Sequence, residues 1–247
     1  MQLVVLGVNH KTASVSVREC FTFSEEQIKM ALSHLRDYEE IDECVIVSTC
    51  NRTEMYAVVD DVEDGLAAMQ RMLGKISSAV PDLENDFFFY EDEECIQHLF
   101  RVASSLDSLV IGEGQILSQV KKAYSLARDV GTTSTVLNTL FHRAIAVGKK
   151  VRTETRIAHS AVSVSYAAVE LAKKTVGDLS QSNVLLLGAG QMGELTARHL
   201  VENGVKTVFV SNRKYERAAQ LADRFSGVAV PFENFMKSAV DADIIIT

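Results

Sequence analysis

Residues 184–193 read Val-Leu-Leu-Leu-Gly-Ala-Gly-Gln-Met-Gly. The apolar run is typical of a buried strand, and the glycine-rich turn after it leads into a helix-like pattern. Gly188 permits a tight turn, Gly190 lets the backbone approach a pyrophosphate, and Gly193 allows close packing of the helix on the strand. In this strand–turn–helix context the motif predicts a dinucleotide site rather than a bare structural turn. The predicted cofactor-binding residues are Gly188, Ala189, Gly190, Gln191, Met192 and Gly193.

Strand and helix patterns alternate from residue 183 to residue 247, which is typical of a doubly wound parallel sheet. After the second strand of this series the chain reads Ser-Asn-Arg-Lys at 211–214. A carboxylate at this place would bind the ribose 2′-hydroxyl of NAD, whereas a cation favours the 2′-phosphate of NADP. Asn212 and Arg213 therefore join the predicted cofactor site. Because the chain stops within a strand pattern, we expect this sheet to be incomplete at the C-terminus.

The first half of the chain is organised differently. Periodicity predicts strands and helices in the order β-α-β-β-α, followed from residue 92 by an almost wholly helical pattern. The five predicted elements cover 2–8, 24–37, 43–48, 54–59 and 64–79. We therefore predict an α/β protein of two domains. An N-terminal α+β domain, with this core plus helices, covers residues 1–157, and a truncated Rossmann-type doubly wound parallel sheet covers residues 158–247.

Cys50 lies directly after the apolar run at 44–47 and within the polar segment Ser-Thr-Cys-Asn-Arg-Thr-Glu at 48–54. A strand that ends here leaves the sulfur in an accessible turn beside Arg52. A thiolate is the best nucleophile among side chains, although a cysteine taken alone is more often a small buried residue. Combined with a nicotinamide site, the pattern suggests reduction of an acyl group through a thioester. His98 is a candidate acid or base, with a packed core histidine as the alternative.

Composition and charge narrow the class of protein. No run approaches the roughly 20 apolar residues of a membrane span, and the N-terminus lacks the basic region of a signal peptide. We therefore expect a cytoplasmic protein without a membrane partner. The four cysteines show neither disulfide nor metal-ligand spacing, so no metal site is predicted.

Charge is distributed unevenly along the chain. Residues 1–100 carry 7 basic and 20 acidic side chains, whereas residues 101–156 carry 9 basic and 4 acidic side chains. The basic span is either a footprint for a phosphate backbone or a set of solvated helix faces.

Four further stretches accompany the Cys50 segment. They read Gly-Val-Asn-His-Lys-Thr-Ala at 7–13, His-Leu-Phe-Arg-Val-Ala at 98–103, Asp-Ser-Leu-Val-Ile-Gly-Glu-Gly-Gln-Ile-Leu at 107–117 and Ala-Val-Ser-Val-Ser-Tyr-Ala-Ala-Val-Glu at 161–170. Together these segments resemble the glutamyl-tRNA reductase family, in order and over essentially the whole chain. The resemblance implies NADPH-dependent reduction of glutamyl-tRNA to glutamate-1-semialdehyde through a cysteine thioester. This reaction is the first step of tetrapyrrole (5-aminolevulinate) biosynthesis.

The resemblance also implies roles for individual residues. Cys50 is the nucleophile, His98 assists activity, and the first domain is the catalytic and glutamyl-tRNA-binding domain. The substrate pocket would be lined by Thr49, Asn51, Arg52, Ser108, Glu113, Gly114, Gln115 and Gln119. We hypothesise that Arg52 holds the glutamyl carboxylate, because a guanidinium matches that group in charge and shape; the alternative is that Arg52 only caps the turn. The phosphate contacts of the tRNA would be Lys121, Lys122, Arg128, Lys149, Lys150 and Arg152.

The same resemblance implies a longer protein. The family continues with the rest of the nucleotide domain and a helical dimerisation domain, so the full-length protein is expected to be a homodimer. Hand-over of the unstable aldehyde to the downstream aminomutase is a further expectation. For the present chain, we expect weak or absent NADPH binding together with ester cleavage at Cys50.

Two alternatives remain open from the residues. One is a cysteine-dependent NADP aldehyde or acyl-phosphate dehydrogenase, although such enzymes usually place the nucleotide domain before the cysteine. The other is a non-catalytic nucleotide- or tRNA-binding module in which Cys50 is structural.

Overall fold

The chain folds into two compact units, Met1–Ala161 and Val162–Thr247. The computed structural model describes residues 1–247 except 78–81, 83–84, 110, 156, 158–163 and 189, and it describes only the backbone of residues 164, 165, 191 and 192. Each unit has a hydrophobic core of its own. In the described part of the chain, no helix combines the length and apolar character needed to cross a bilayer.

The first unit combines one sheet with helices. Its elements are β1 (Gln2–Asn9), α1 (Val15–Cys20), α2 (Glu25–Ser33), β2 (Ile41–Ser48), β3 (Arg52–Val59), α3 (Val62–Ile76), β4 (Phe88–Glu91), α4 (Asp92–Ala103), α5 (Gln115–Val130) and α6 (Thr135–Glu154). The sheet has the strand order β2-β3-β1-β4, and every adjacent pair is antiparallel. α5 packs against β2, and α6 packs against α4.

The α+β class predicted for this half is confirmed, with two additions. β4 pairs with β1 and makes the sheet four-stranded, although the sequence predicts three strands. A four-residue aromatic strand is too short to give a clear alternation, so periodicity did not detect it. The predicted helix at 24–37 ends at Ser33 and is followed by a 3-10 turn, Leu35–Asp37.

Glu43 connects the sheet to helix α6 through hydrogen bonds. It lies in β2, is 5% exposed, and its carboxylate accepts three backbone hydrogen bonds from the start of α6. The donors are the amides of Ser134 at 2.7 Å, Val136 at 3.0 Å and Leu137 at 2.9 Å. The first amides of a helix have no partner within the helix, and its dipole favours a negative charge there. A strand carboxylate thus caps a helix about 90 residues later in the chain.

Glu43→Ala is expected to destabilise the protein by about 3 kcal/mol, since hydrogen bonds to a charged group contribute about 1.5–3 kcal/mol each and are not additive. Urea unfolding followed by circular dichroism measures the change. Asp42→Ala, at the exposed neighbouring position of the same strand, is the matched control and should change stability by less than about 0.5 kcal/mol. Equal effects of the two substitutions would contradict the capping role.

The second unit is a parallel sheet with helices. Its elements are α7 (Val164–Val176), β5 (Asn183–Leu187), α8 (Gln191–Glu202), β6 (Thr207–Ser211), α9 (Tyr215–Arg224), β7 (Val228–Val230), α10 (Phe235–Val240) and β8 (Ile244–Ile246). The strand order is β7-β6-β5-β8, with every pair parallel. β5 lies between β6 and β8, and the direction in which successive strands are added reverses at β5, as the doubly wound prediction requires. The fold class predicted for this half is confirmed.

Candidate active site

Cys50 is exposed at the tip of the hairpin that joins β2 to β3. Thr49 shapes this turn, because its hydroxyl accepts the amide hydrogens of Asn51 and Arg52, each at 3.1 Å. The amide of Thr49 in turn donates to the carbonyl of Arg52 at 2.8 Å. The turn is therefore held by its own polar side chain while the thiol points away from the apolar core.

The other cysteines are in different surroundings. Cys44 and Cys95 are buried, and burial raises the pKa of both thiols, that of Cys44 to about 12. Cys20 is half-buried, and its thiol donates to the carbonyl of Ser16 at 3.3 Å. Of the four cysteines, Cys50 alone is exposed.

Arg18, on α1, holds the Cys50 turn by hydrogen bonds from outside the hairpin. One of its nitrogens, Nη1, donates to the carbonyl of Cys50 at 3.2 Å and to Oδ1 of Asn51 at 3.0 Å. The predicted substrate residue Asn51 is thus engaged by a neighbouring helix. Sequence reasoning did not single out Arg18.

Arg52 follows the turn as the first residue of β3 and is only 2% exposed. Its guanidinium donates to Glu54 through Nη1 and to the backbone carbonyl of Asp107 through Nη2. The Asp107 carboxylate lies 3.4 Å from Nη2. Burial alone would lower the pKa of Arg52, but the Glu54 carboxylate outweighs it and the net shift is upward. The guanidinium is a permanent cation with two carboxylate partners, and a substrate carboxylate at this place would have to share it with them.

Glu54 is the centre of this buried network. Its carboxylate is fully buried and accepts from Arg52, from the Tyr56 hydroxyl at 2.6 Å and from Nε2 of His98 at 2.9 Å. Burial alone would raise the pKa of Glu54, but Arg52 and His98 hold it well below its usual range. Because an ionised carboxylate only accepts, Nε2 of His98 carries the hydrogen of this bond.

The two predicted catalytic residues therefore have different environments. His98 is 7% exposed and packs against the rings of Phe88 and Tyr90, whose centroids lie 4.9 Å and 5.2 Å from its own. It reaches the Cys50 turn through Glu54 and Arg52. This arrangement suits a residue that supports the site, and the role of His98 stays a prediction.

Three cationic side chains lie close to the Asp107 carboxylate. Its carboxylate pairs with Lys11, lies near Arg52, and is 3.9 Å from Arg101. Burial acts to raise its pKa, but Lys11 and Arg52 reverse the direction and lower it. The predicted substrate residue Ser108 follows directly, is buried, and its hydroxyl has no hydrogen-bond partner among the described residues. Ser108 is thereby brought to the Arg52 side of the site.

The remaining predicted substrate residues belong to the start of α5. The carbonyl of Glu113 accepts from Ser105 at 2.7 Å and from Arg152 at 3.0 Å, while Gly114 is the residue before the helix and Gln115 its first residue. Gln119, one turn further on, lines an open cleft of about 220 Å³ together with Ser48, the residue before the Cys50 turn. α5 and the carboxyl end of β2 therefore line the same cleft.

The predicted cofactor loop lies at the carboxyl end of β5. Gly188 adopts a φ of +98°, a backbone conformation that residues with a side chain rarely adopt. Among the described residues, no atom lies within 4 Å of the place that a Cβ would occupy at Gly188 or at Gly190. At Gly193 a Cβ would come within 2.9 Å of Leu186, so the glycine permits close packing of α8 on β5. The described neighbours of Gly188 and Gly190 therefore leave room beside these two glycines, and α8 begins directly after Gly190. The N-terminus of a helix is a favourable place for a phosphate group.

The other predicted cofactor residues are less fully described. Ala189 lies outside the described residues, as do the side chains of Gln191 and Met192. Asn212 follows β6 and accepts the amide hydrogen of Lys214 at 2.8 Å, and Arg213 is exposed. Both residues lie at the carboxyl end of the strand next to β5.

The sequence analysis did not identify five residues around Cys50 as site residues. They are His10, Lys11, Arg18, Glu54 and Asp107. A signal was available for Glu54, because Arg52, Glu54 and Tyr56 alternate along a strand pattern and therefore share one face. Opposite charges two residues apart on one face of a strand indicate an ion pair, which the structure shows to be buried. Of the other four, His10 and Lys11 are adjacent in the turn after β1, Arg18 is in α1 and Asp107 follows α4. No spacing rule links these three segments.

Comparison with known families gives two matches. Residues 6–155 match the family model described as glutamyl-tRNAGlu reductase, N-terminal domain. Residues 170–247 match the model described as shikimate / quinate 5-dehydrogenase. The two matches fall in the first and second unit respectively.

Individual relatives extend the comparison to the whole chain. Glutamyl-tRNA reductase of Pelotomaculum thermopropionicum is 50% identical over 248 aligned residues, which is 100% of this chain and 56% of the relative. The Geobacter sulfurreducens protein of the same name is 49% identical and is covered to 57%. The solved glutamyl-tRNA reductase from Methanopyrus kandleri matches with a TM-score of 0.60 and 39% identity, over 99% of this chain and 57% of that chain. The chain thus spans little more than half the length of these relatives.

Proposed function

Because the chain belongs to the glutamyl-tRNA reductase family, we propose that it captures the glutamyl group of glutamyl-tRNA on Cys50. The acyl group is then reduced to glutamate-1-semialdehyde, the first intermediate of tetrapyrrole biosynthesis. The observation that carries this proposal is the exposed Cys50 thiol at the tip of an ordered hairpin, above a buried cluster of charges.

The proposed chemistry needs no activation step. The ester that joins glutamate to the tRNA 3′-oxygen is already reactive, so the Cys50 sulfur forms a bond to the acyl carbon and the bond to that oxygen breaks. The product is a glutamyl thioester, which accepts hydride more readily than an ester or a carboxylate does. The two-step route explains why a nucleophilic cysteine and a dehydrogenase-type domain occur in one chain.

The substrate carboxylate requires a cation in this site. The sequence-based candidate is Arg52, with Thr49, Asn51, Ser108 and the start of α5 completing the pocket. Arg52 is buried between Glu54 and Asp107, so binding of the glutamyl group would involve partial exchange of those partners. In this proposal His98 assists by holding Glu54 in place beneath Arg52.

The second unit is a dehydrogenase-type nucleotide-binding domain, and we propose NADPH as its cofactor. Bound NADPH would supply the hydride for the thioester. Gly188 and Gly190 leave space for the pyrophosphate above α8, and Gly193 keeps that helix close to the strand. Arg213, which is exposed after the end of β6, would receive the 2′-phosphate.

Arg213→Gln is expected to weaken NADPH binding by about 10–100-fold and to leave NADH binding almost unchanged, since a hydrogen-bonded charge pair contributes about 1.5–3 kcal/mol. Fluorescence titration of the full-length protein with both nucleotides measures the ratio, because the present chain is expected to bind NADPH weakly or not at all. Lys206→Gln, exposed just before the opposite end of β6, is the matched control and should leave both affinities unchanged. An unaltered NADPH to NADH ratio in Arg213→Gln would reject the 2′-phosphate contact.

Glutamyl-tRNA is the proposed macromolecular partner. Of the six predicted phosphate contacts, Lys122, Arg128, Lys149 and Lys150 are exposed on α5 and α6, whereas Lys121 and Arg152 are half-buried. Lys122 is paired with Glu25 at 2.5 Å, and Arg152 is engaged by the Glu113 carbonyl. Homodimerisation of the full-length protein and transfer of the aldehyde to an aminomutase are further proposals, drawn from the family. A cytoplasmic location suits a mechanism that needs a free thiol.

One assay separates this function from its rivals. The chain is incubated with glutamyl-tRNA, and loss of ester-linked glutamate from the tRNA is measured. A parallel reaction contains small aldehydes and NADP. The proposal predicts deacylation of glutamyl-tRNA in preference to glutaminyl-tRNA. Turnover of small aldehydes without deacylation would favour a metabolite dehydrogenase, and neither reaction would favour a binding module.

A further inference from the structure

His10 lies across from the Cys50 turn, directly after a neighbouring strand. It directly follows β1, whose last residue Asn9 pairs with Arg52, and its amide donates to the carbonyl of Asn51 at 3.1 Å. The turn after β1 is ordered, since the Asn9 side chain accepts the amide hydrogen of Lys11 at 2.8 Å. Two short, hydrogen-bonded backbone segments therefore hold His10 and Cys50 at the same end of the sheet.

The imidazole of His10 has an unused polar atom. Its Nδ1 is buried and has no hydrogen-bond partner among the described residues. The same is true of Nε of Arg18, whose guanidinium donates to the carbonyl of Cys50, and of Oγ of Ser108, which follows the Asp107 carbonyl that accepts from Arg52. Buried polar atoms are nearly always partnered, so the unpartnered atoms of His10 and Arg18, which both bind the Cys50 turn, and of Ser108 beside the partner of Arg52 indicate a site that is completed by its substrate.

The charges that face His10 favour the neutral imidazole. They come from Lys11 beside it, Arg18 on α1, Arg52 on β3 and Asp107 in the segment after α4. Burial contributes most, the three cations act in the same direction, and Asp107 opposes them; the pKa of His10 is lowered from its ordinary value. A neutral imidazole at neutral pH is the form that can accept a proton.

We propose that His10 is the acid–base residue of the Cys50 site, an inference that rests on the proposed function. The imidazole accepts the thiol proton of Cys50, directly or through one water molecule, as the sulfur attacks the acyl carbon and the carbonyl electron pair moves to oxygen. When that pair returns, the bond from the acyl carbon to the tRNA 3′-oxygen breaks and His10 gives its proton to this oxygen. The net change moves one proton from thiol to ribose hydroxyl, with no oxidation or reduction.

His98 is less suited to this exchange. Its Nε2 hydrogen is committed to Glu54, and its ring is enclosed by Phe88 and Tyr90. It belongs to the support of Arg52, whereas His10 borders the turn that carries the nucleophile. The two histidines therefore have separable roles in the first half-reaction.

The rate of thioester formation on Cys50, measured by rapid quench with glutamyl-tRNA and no NADPH, tests this proposal. His10→Ala should form the thioester about 100–1,000-fold more slowly at pH 7, and added imidazole should restore part of the rate. The parent should lose rate below a midpoint under pH 6.5, because the pKa of His10 lies below that ordinary value, whereas the variant should lack this midpoint. His34→Ala, at an exposed histidine of the same unit, is the matched control.

His10→Gln guards against misfolding, because its amide can take a hydrogen bond but cannot titrate in this range. The same loss in His10→Gln supports the proposal. A rate in His10→Gln within about threefold of the parent, or a slow His10→Ala with neither imidazole rescue nor an altered pH profile, would overturn it. If the parent itself forms no thioester at any pH, the proposed function fails instead, so the two failures are distinguishable.

Discussion

Cys50→Ser is expected to reduce deacylation of glutamyl-tRNA by at least about 1,000-fold, the largest effect of any single substitution on activity. A serine hydroxyl is a far weaker nucleophile than a thiolate, and loss of a covalent nucleophile typically costs more than any surrounding contact. The hairpin should be retained, because Thr49 and Arg18 hold the turn through backbone groups and the side chain of Asn51 rather than through the sulfur. The measurement is release of labelled glutamate from the tRNA.

Cys20→Ser is the matched control for this substitution. Cys20 is half-buried and donates to a helix carbonyl, a bond that a serine hydroxyl can also make, so activity should stay within about twofold of the parent. Equal losses in Cys20→Ser and Cys50→Ser would show that the assay reports general damage. Full activity in Cys50→Ser would remove the nucleophile from the mechanism.

Glu54→Gln is expected to destabilise the first unit by about 3–5 kcal/mol. Removing one partner of a buried ion pair leaves the other charge uncompensated, and that penalty exceeds the net contribution of the pair itself. In this site Arg52 loses its main counterion, and His98 and Tyr56 lose the ionised acceptor of their hydrogen bonds. Urea unfolding measures the effect, with Glu40→Gln as control, since the pair of Glu40 with Arg71 is at the surface and should contribute less than about 1 kcal/mol.

The effect of Glu54→Gln should depend on pH. The pKa of Glu54 is lowered from 4.5 to about 2 in the folded protein, so its stabilising contribution is fully present above pH 4.5 and is lost as the pH falls toward 2. The difference in unfolding free energy between parent and Glu54→Gln should therefore shrink across that window. A difference that stays constant between pH 7 and pH 3 would mean that the charge of Glu54 does not stabilise the fold.

Local patterns in the sequence were sufficient for the parts of the molecule built from neighbouring residues. The strand–glycine–helix pattern at 184–193 predicted β5 and the helix that follows it, and the polar break after 44–47 predicted an exposed Cys50. Both rest on residues adjacent in the chain, where periodicity and turn chemistry carry the information.

Such local patterns did not predict which side chains surround the candidate site. Arg52 meets Asp107 across 55 residues, Glu54 meets His98 across 44, and Glu43 caps a helix 91 to 94 residues away. These contacts follow from the order in which strands and helices pack, and spacing along the chain does not specify that order. The burial of Arg52 was missed for the same reason, since its two carboxylate partners become visible only in the folded unit.

Capture of an acyl group by the Cys50 sulfur before any hydride is transferred is the central claim. Mass spectrometry of the chain after brief reaction with glutamyl-tRNA in the absence of NADPH tests it most directly. The expected result is one glutamyl group on the peptide that contains Cys50, absent from Cys50→Ser and removed by hydroxylamine, as a thioester would be. An unmodified Cys50 peptide under conditions in which the tRNA is deacylated would contradict the claim.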